Sequence, residues 1–141
     1  MSVVTYTSVE DVTKAWLLTT PIVARLTRPG GGVNMFFAMP VGAPLPCLTL
    51  ARVGGAPTSS EVPTDVARIS FECWGTSKAS AGTLAYELVA ELDTLARVGG
   101  FTLGATTIVA GDILMALWLP DPTSDTARYV VDAHISAITT T

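Results

Sequence analysis

The chain has 141 residues, 49% of them hydrophobic and only 14% charged, with a formal net charge of −4 and a mean hydropathy of +0.49. This excludes intrinsic disorder, which needs low hydrophobicity and high net charge, and it lacks the basic excess required to bind nucleic-acid phosphates. Length allows one self-sufficient core over residues 1–141, while the shortage of charge against a usual ~25% predicts that part of the folded surface is covered in an assembly.

The first predicted element is a helix over residues 8–19. Ser8 and Asp11 form an S-x-x-D capping pair, Val9, Val12, Trp16 and Leu17 fall near one face, and Pro21 ends it. A short periodic piece, Ile22 to Leu26, leads into the turn Gly30-Gly31-Gly32. From Pro29 to Ser60 the only charge is Arg52. Within that stretch Val33 to Met39 reads as an edge or irregular strand and Leu48 to Val53 as a second strand, separated by Pro40, Pro44 and Pro46. Gly54 to Pro63 is a polar loop with a solvated tip at Thr58, Ser59, Ser60 and Glu61.

Asp65 to Gly75 alternates most cleanly. Ala67, Ile69, Phe71 and Cys73 share the core face, and Val66, Arg68, Ser70, Glu72 and Trp74 share the other. Ser77 and Ser80 offer caps for a helix to about Arg97, with Leu84, Leu88, Leu92 and Leu95 on a core stripe, Glu87 and Glu91 outside, and Asp93 and Arg97 paired at i, i+4. Gly99 and Gly100 stop it.

Residues 98–120 contain one charge, Asp112, but four glycines and three threonines interrupt the stretch, so it does not read as a membrane span. It contributes instead to two long strands, Thr106 to Leu119 and Ala127 to Ile138, joined by a turn over Pro120 to Asp125. The hexapeptide Leu-Ala-Arg-Val-Gly-Gly occurs at Leu50 to Gly55 and again at Leu95 to Gly100. The flanks do not match, and the two copies end different kinds of element, which argues against internal duplication.

Signals for chemistry are sparse. One histidine, His134, and two cysteines, Cys47 and Cys73, without C-x-x-C spacing do not make a metal site or a disulfide framework. His134 and Asp132 are i, i+2 neighbours on a strand with no nucleophile elbow, and the glycine run lacks the G-K-[ST] ending of a phosphate loop. Glu87 and Glu91 read as a solvated helix face. No leader-like segment opens the sequence, so folding in a reducing cytoplasm is expected. No catalytic residue, metal or cofactor is expected. Trp16 reads as core, whereas Trp74 and Trp118, with Phe36, Phe37 and Met39 from the uncharged segment, are the candidate subunit contacts.

The run R-I-S-F-E-C-W-G at Arg68 to Gly75, the turn S-K-A-S and the helix A-G-T-L-A-Y-E-L-V-A-E-L-D-T-L resemble the tail terminator, or tail completion, proteins of long-tailed bacteriophages. Leu45 to Leu48, L-P-C-L, is similar to that family's proline-preceded strand. The resemblance implies an α+β fold, a mainly antiparallel β-sheet with an N-terminal helix and one long helix packed on it, as a single tail-terminator-like domain over residues 1–141. It also implies a homohexameric ring on the head-proximal end of the virion tail, assembled in the host cytoplasm. The ring would stop polymerisation of the tail tube protein and meet the head-completion or connector protein. Neither sequence recognition of nucleic acid nor membrane binding is implied, and no residue-level site transfers. Two alternatives stay open: a neck or head-tail connector component of related fold, and a small hydrolase or ligand-binding protein using His134 or Cys73.

Overall fold

The computed structural model describes residues 7–57 and 64–139, so the predicted loop tip at Thr58 to Glu61 lies outside the described residues. In chain order the elements are α1 (Val9–Leu17), α2 (Val23–Leu26), β1 (Met35–Phe36), β2 (Cys47–Gly54), β3 (Thr64–Gly75), α3 (Lys78–Thr94), β4 (Phe101–Leu103), β5 (Thr106–Trp118) and β6 (Ala127–Thr139). The strands form one sheet in the order β1-β2-β3-β6-β5-β4. Only β1 and β2 run parallel; all other neighbours are antiparallel. The fold is therefore α+β, with a mainly antiparallel sheet, one N-terminal helix and one long helix.

Alternation along β3 and β6 dictates which face is covered. Ala67, Ile69, Phe71 and Cys73 pair in register with Ile135, Ala133, Val131 and Tyr129. All but the half-buried Tyr129 lie beneath the helices in the core, with Leu84, Leu88, Leu92 and Leu95 from α3 and Val9, Val12, Trp16 and Leu17 from α1. Each buried leucine of that stripe contributes about 1.5–3 kcal/mol of transfer free energy. Ser77 caps α3 as expected, its hydroxyl accepting from the Ser80 backbone N–H at 3.1 Å.

Four local expectations are corrected. Ser8 stands at the N-cap of α1 but makes no side-chain capping bond; its carbonyl accepts from Val12 N at 3.1 Å, and acidic Glu10 and Asp11 complement the helix dipole instead. The predicted strand Val33 to Met39 shrinks to Met35–Phe36, because only these two residues pair with β2, in parallel, against Leu48 and Thr49. Buried Asn34 then ties down the proline-rich segment, donating from Nδ2 to the carbonyls of Pro44 (3.3 Å) and Pro46 (3.2 Å). α3 ends at Thr94, short of Arg97, although the Asp93–Arg97 ion pair does form. Finally, the unanticipated β4 pairs with the start of β5, Phe101 to Leu103 against Ile108 to Thr106.

The repeated hexapeptide has one shared structural property. Its last glycine, Gly55 in one copy and Gly100 in the other, has φ of +82° and +83° and lies against the backbone of an adjacent strand. A Cβ would stand 2.0 Å from Val66 O at Gly55 and 2.4 Å from Ile108 O at Gly100. The two copies otherwise belong to different elements, one ending β2 and the other following α3.

Candidate functional site

The sheet face opposite the helices carries Thr49, Ala51 and Val53 of β2, Arg68, Ser70, Glu72 and Trp74 of β3, and Arg128, Val130, Asp132 and His134 of β6, as their cross-strand registers require. No helix among the described residues covers it; two arginines lie across it instead. Arg68 donates to Asp132 Oδ2 through Nη2 at 2.7 Å and Nε at 3.2 Å. Arg128 donates to Glu72 Oε2 at 3.2 Å and to the Leu119 carbonyl at 2.9 Å, with its guanidinium 5.2 Å from the centre of the Trp74 ring. Arg68 keeps nearly half of its side chain in solvent, whereas Arg128, with a side chain 15% exposed, lies against Trp74. Asp132 Oδ1 is buried and makes no hydrogen bond among the described residues.

This arrangement fixes the position of Trp74. It lies on the predicted face but is only 7% exposed, lying beneath Arg128 with its indole N–H donating to Thr49 Oγ1 at 3.3 Å. The register Trp74↔Arg128 places these side chains together. Trp118 is half-buried, 5.4 Å from the Tyr129 ring and 5.1 Å from Lys78 Nζ. Phe36 is half-buried, whereas Phe37 and Met39 are 41% and 37% exposed. Phe37 carries Lys14 Nζ 4.7 Å from its ring centre, and Met39 Sδ accepts from Cys47 Sγ at 3.3 Å. Phe37, Ala38 and Met39 form one wall of a groove of about 350 Å³, whose floor includes Ala51, Val53 and Ser70.

At the opposite side of the sheet, β4 covers the outer edge of β5 only from Thr106 to Ile108. Beyond that point β5 continues to Trp118 with β6 as its only strand neighbour among the described residues. Ile113, Leu114, Leu117 and Leu119 are 37–46% exposed there. Register shifts on either side of Gly111–Ile113 bring Ile113 and Ala116 opposite the core-facing Ala133 and Val131, and Met115 and Leu117 opposite Asp132 and Val130. Apolar side chains thus project from both faces of the outer half-strand. The turn beyond it is held by Asp121, whose carboxylate accepts from the Ser124 hydroxyl and backbone N–H, bonds that hold it below the usual carboxylate range.

The residues considered for chemistry are dispersed. His134 lies opposite Arg68 and Asp112, and among the described residues no group of three or more His, Cys, Asp or Glu side chains is placed to hold a metal. Glu87 is not simply solvated; it pairs with Arg25 of α2 at 2.5 Å, beside a cleft between α2 and α3 that Glu91 also lines. No helix among the described residues is long and apolar enough to cross a membrane.

Both cysteines are buried and free. Burial, then the Glu72 charge, pushes the Cys47 thiol up to about 11, and burial pushes Cys73 up as well. The expected result is no labelling of either thiol by a polar disulfide reagent at neutral pH in the native protein, and labelling of both after denaturation. For Cys47 the folded state holds its proton more tightly than the unfolded state. Its contribution to stability is complete below the ordinary value of 9.0 and is lost as pH rises from there through about 11. Rapid labelling of the native protein would contradict this burial.

No family model and no curated protein matches the chain in sequence. Among solved structures, the fold is similar to that of a chain from the virion of a native gene transfer agent particle, with a TM-score of 0.65 and 18% identity over 93% of this chain and 95% of the other. Fold and surface together define an α+β sheet protein with exposed apolar side chains near both sides of its sheet.

Proposed function

We propose that the protein is a virion structural component, a phage-type tail terminator that assembles as a homohexameric ring on the head-proximal end of the tail tube. It stops tube polymerisation there and presents a surface to the head-completion or connector protein, without catalytic turnover. The observation that carries this reading is the fold shared along nearly the whole of both chains with a component of a virion particle. Low charge content and the exposed apolar side chains along β5 and the 37–39 segment support it, because a closed ring uses two different patches per subunit. Phe36, Phe37, Met39 and Trp118 are the contact residues in this proposal, with Trp74 acting from beneath by supporting Arg128.

Light scattering over a range of concentrations, with electron microscopy of any large species, tests the ring. A sixfold multiple of the 14.7 kDa subunit in ring-shaped particles is expected. A strict monomer up to the solubility limit contradicts it.

A further inference from the structure

The two apolar surfaces have different shapes and lie toward opposite sides of one sheet. One is the half-strand of β5 from Val109 to Trp118 and on to Leu119, whose outer edge no other strand covers among the described residues. The other is the groove between Phe37, Ala38, Met39 and the helix-free face of β2 and β3. We propose that they bind each other between copies of this chain: Leu114, Leu117 and Leu119 of one subunit seat in the Phe37–Met39 groove of the next, head to tail.

This rests on the assembly reading above and names the contact that would build it. Three observations favour a second copy as the occupant. First, both halves of the contact are present in one chain and are unlike each other, which is the requirement for a heterologous, repeating interface.

Second, the area suffices. At their observed exposures Phe37, Met39 and Val53 with the three β5 side chains leave on the order of 500 Å² in solvent, more than half of the apolar share of a standard interface of about 1,600 Å².

Third, docking strands little charge. Glu72, the charged residue lining the groove, is already paired with Arg128, and Asp112 is the sole charge from Val98 to Leu119.

The test uses an arm variant, Leu114→Glu with Leu117→Glu, and a groove variant, Phe37→Glu with Met39→Glu, followed by sedimentation velocity. Each variant alone is expected to self-associate about thirtyfold or more weakly than the unsubstituted chain. Mixed together they are expected to give a heterodimer and nothing larger, because the mixture retains one intact arm and one intact groove per pair. A photo-crosslinking residue at position 117 of the otherwise unsubstituted protein provides a readout independent of variant folding. Its crosslinks are expected within residues 37–53 of another copy.

Crosslinks to β5 of the other copy, or a groove variant that associates normally, would indicate a two-fold edge-to-edge pair and overturn the proposal. Oligomers unaffected by either variant would overturn this contact while leaving the ring reading intact. An unsubstituted chain that never associates would overturn both.

Discussion

Arg52→Ala is expected to destabilise the fold by about 3–5 kcal/mol, a large part of the 5–15 kcal/mol that holds a domain together. Asp65 has a side chain only 6% exposed, and its two carboxylate oxygens each accept a guanidinium hydrogen bond at 2.6 Å from Arg52. Arg52 also donates from Nε to the Gly54 carbonyl at 3.0 Å, bracing the irregular end of β2. The hydrogen bonds to Asp65 lead the effects that raise the Arg52 guanidinium further above its ordinary range. Truncating the arginine leaves a buried carboxylate uncompensated, and that desolvation dominates the cost. Replacing both residues, Arg52→Leu with Asp65→Leu, removes the unpaired charge and is expected to recover most of the loss. Chemical denaturation of Arg52→Leu, Asp65→Leu and the double variant measures the coupling. A loss under about 1 kcal/mol for Arg52→Ala would mean that solvent reaches Asp65 more freely than its burial indicates.

The second large effect concerns adjacent glycines after α3. Gly99 and Gly100 have nearly the same backbone conformation, φ +85° and +83°, but different surroundings. A Cβ at Gly99 meets nothing within 4 Å, whereas one at Gly100 would stand 2.4 Å from Ile108 O. Gly99→Ala therefore isolates the cost of a left-handed alanine, roughly 1–2 kcal/mol. Gly100→Ala adds a collision with backbone that cannot rotate away, about 2 kcal/mol more. Displacing Ile108 also loosens the pairing of Phe101 with Ile108, where β4 stops covering the β5 edge. Thermal melting of the two variants side by side checks the comparison; equal shifts would contradict the close approach.

Much of this architecture was legible because local periodicity and burial coincide. The two-residue alternation of β3 and the leucine stripe of α3 each name a core face, and the helix and the strands that form that core bury those residues together. What escaped the sequence depends on register between distant segments. β1 forms only because Met35 and Phe36 reach Leu48 and Thr49 in parallel. β4 is three residues between Gly100 and Gly104, too short to show a period. Trp74 was placed on the correct face, but its burial depends on Arg128 lying across it from β6. The charge-poor stretches around Phe37 and from Val98 to Leu119 are visible in the sequence. That one forms a groove wall and the other contributes a strand whose outer edge is largely uncovered among the described residues required the three-dimensional pairing.

The measurement that tests the account most directly is electron microscopy of tubes grown from the tail tube protein of the same virion, with and without this protein. Shortened tubes that each carry a ring of it at one end, and that no longer extend when fresh tube subunits are added, are the predicted result. Tubes that grow to the same length with bare ends, or a protein that binds the head connector and ignores the tube, would contradict it.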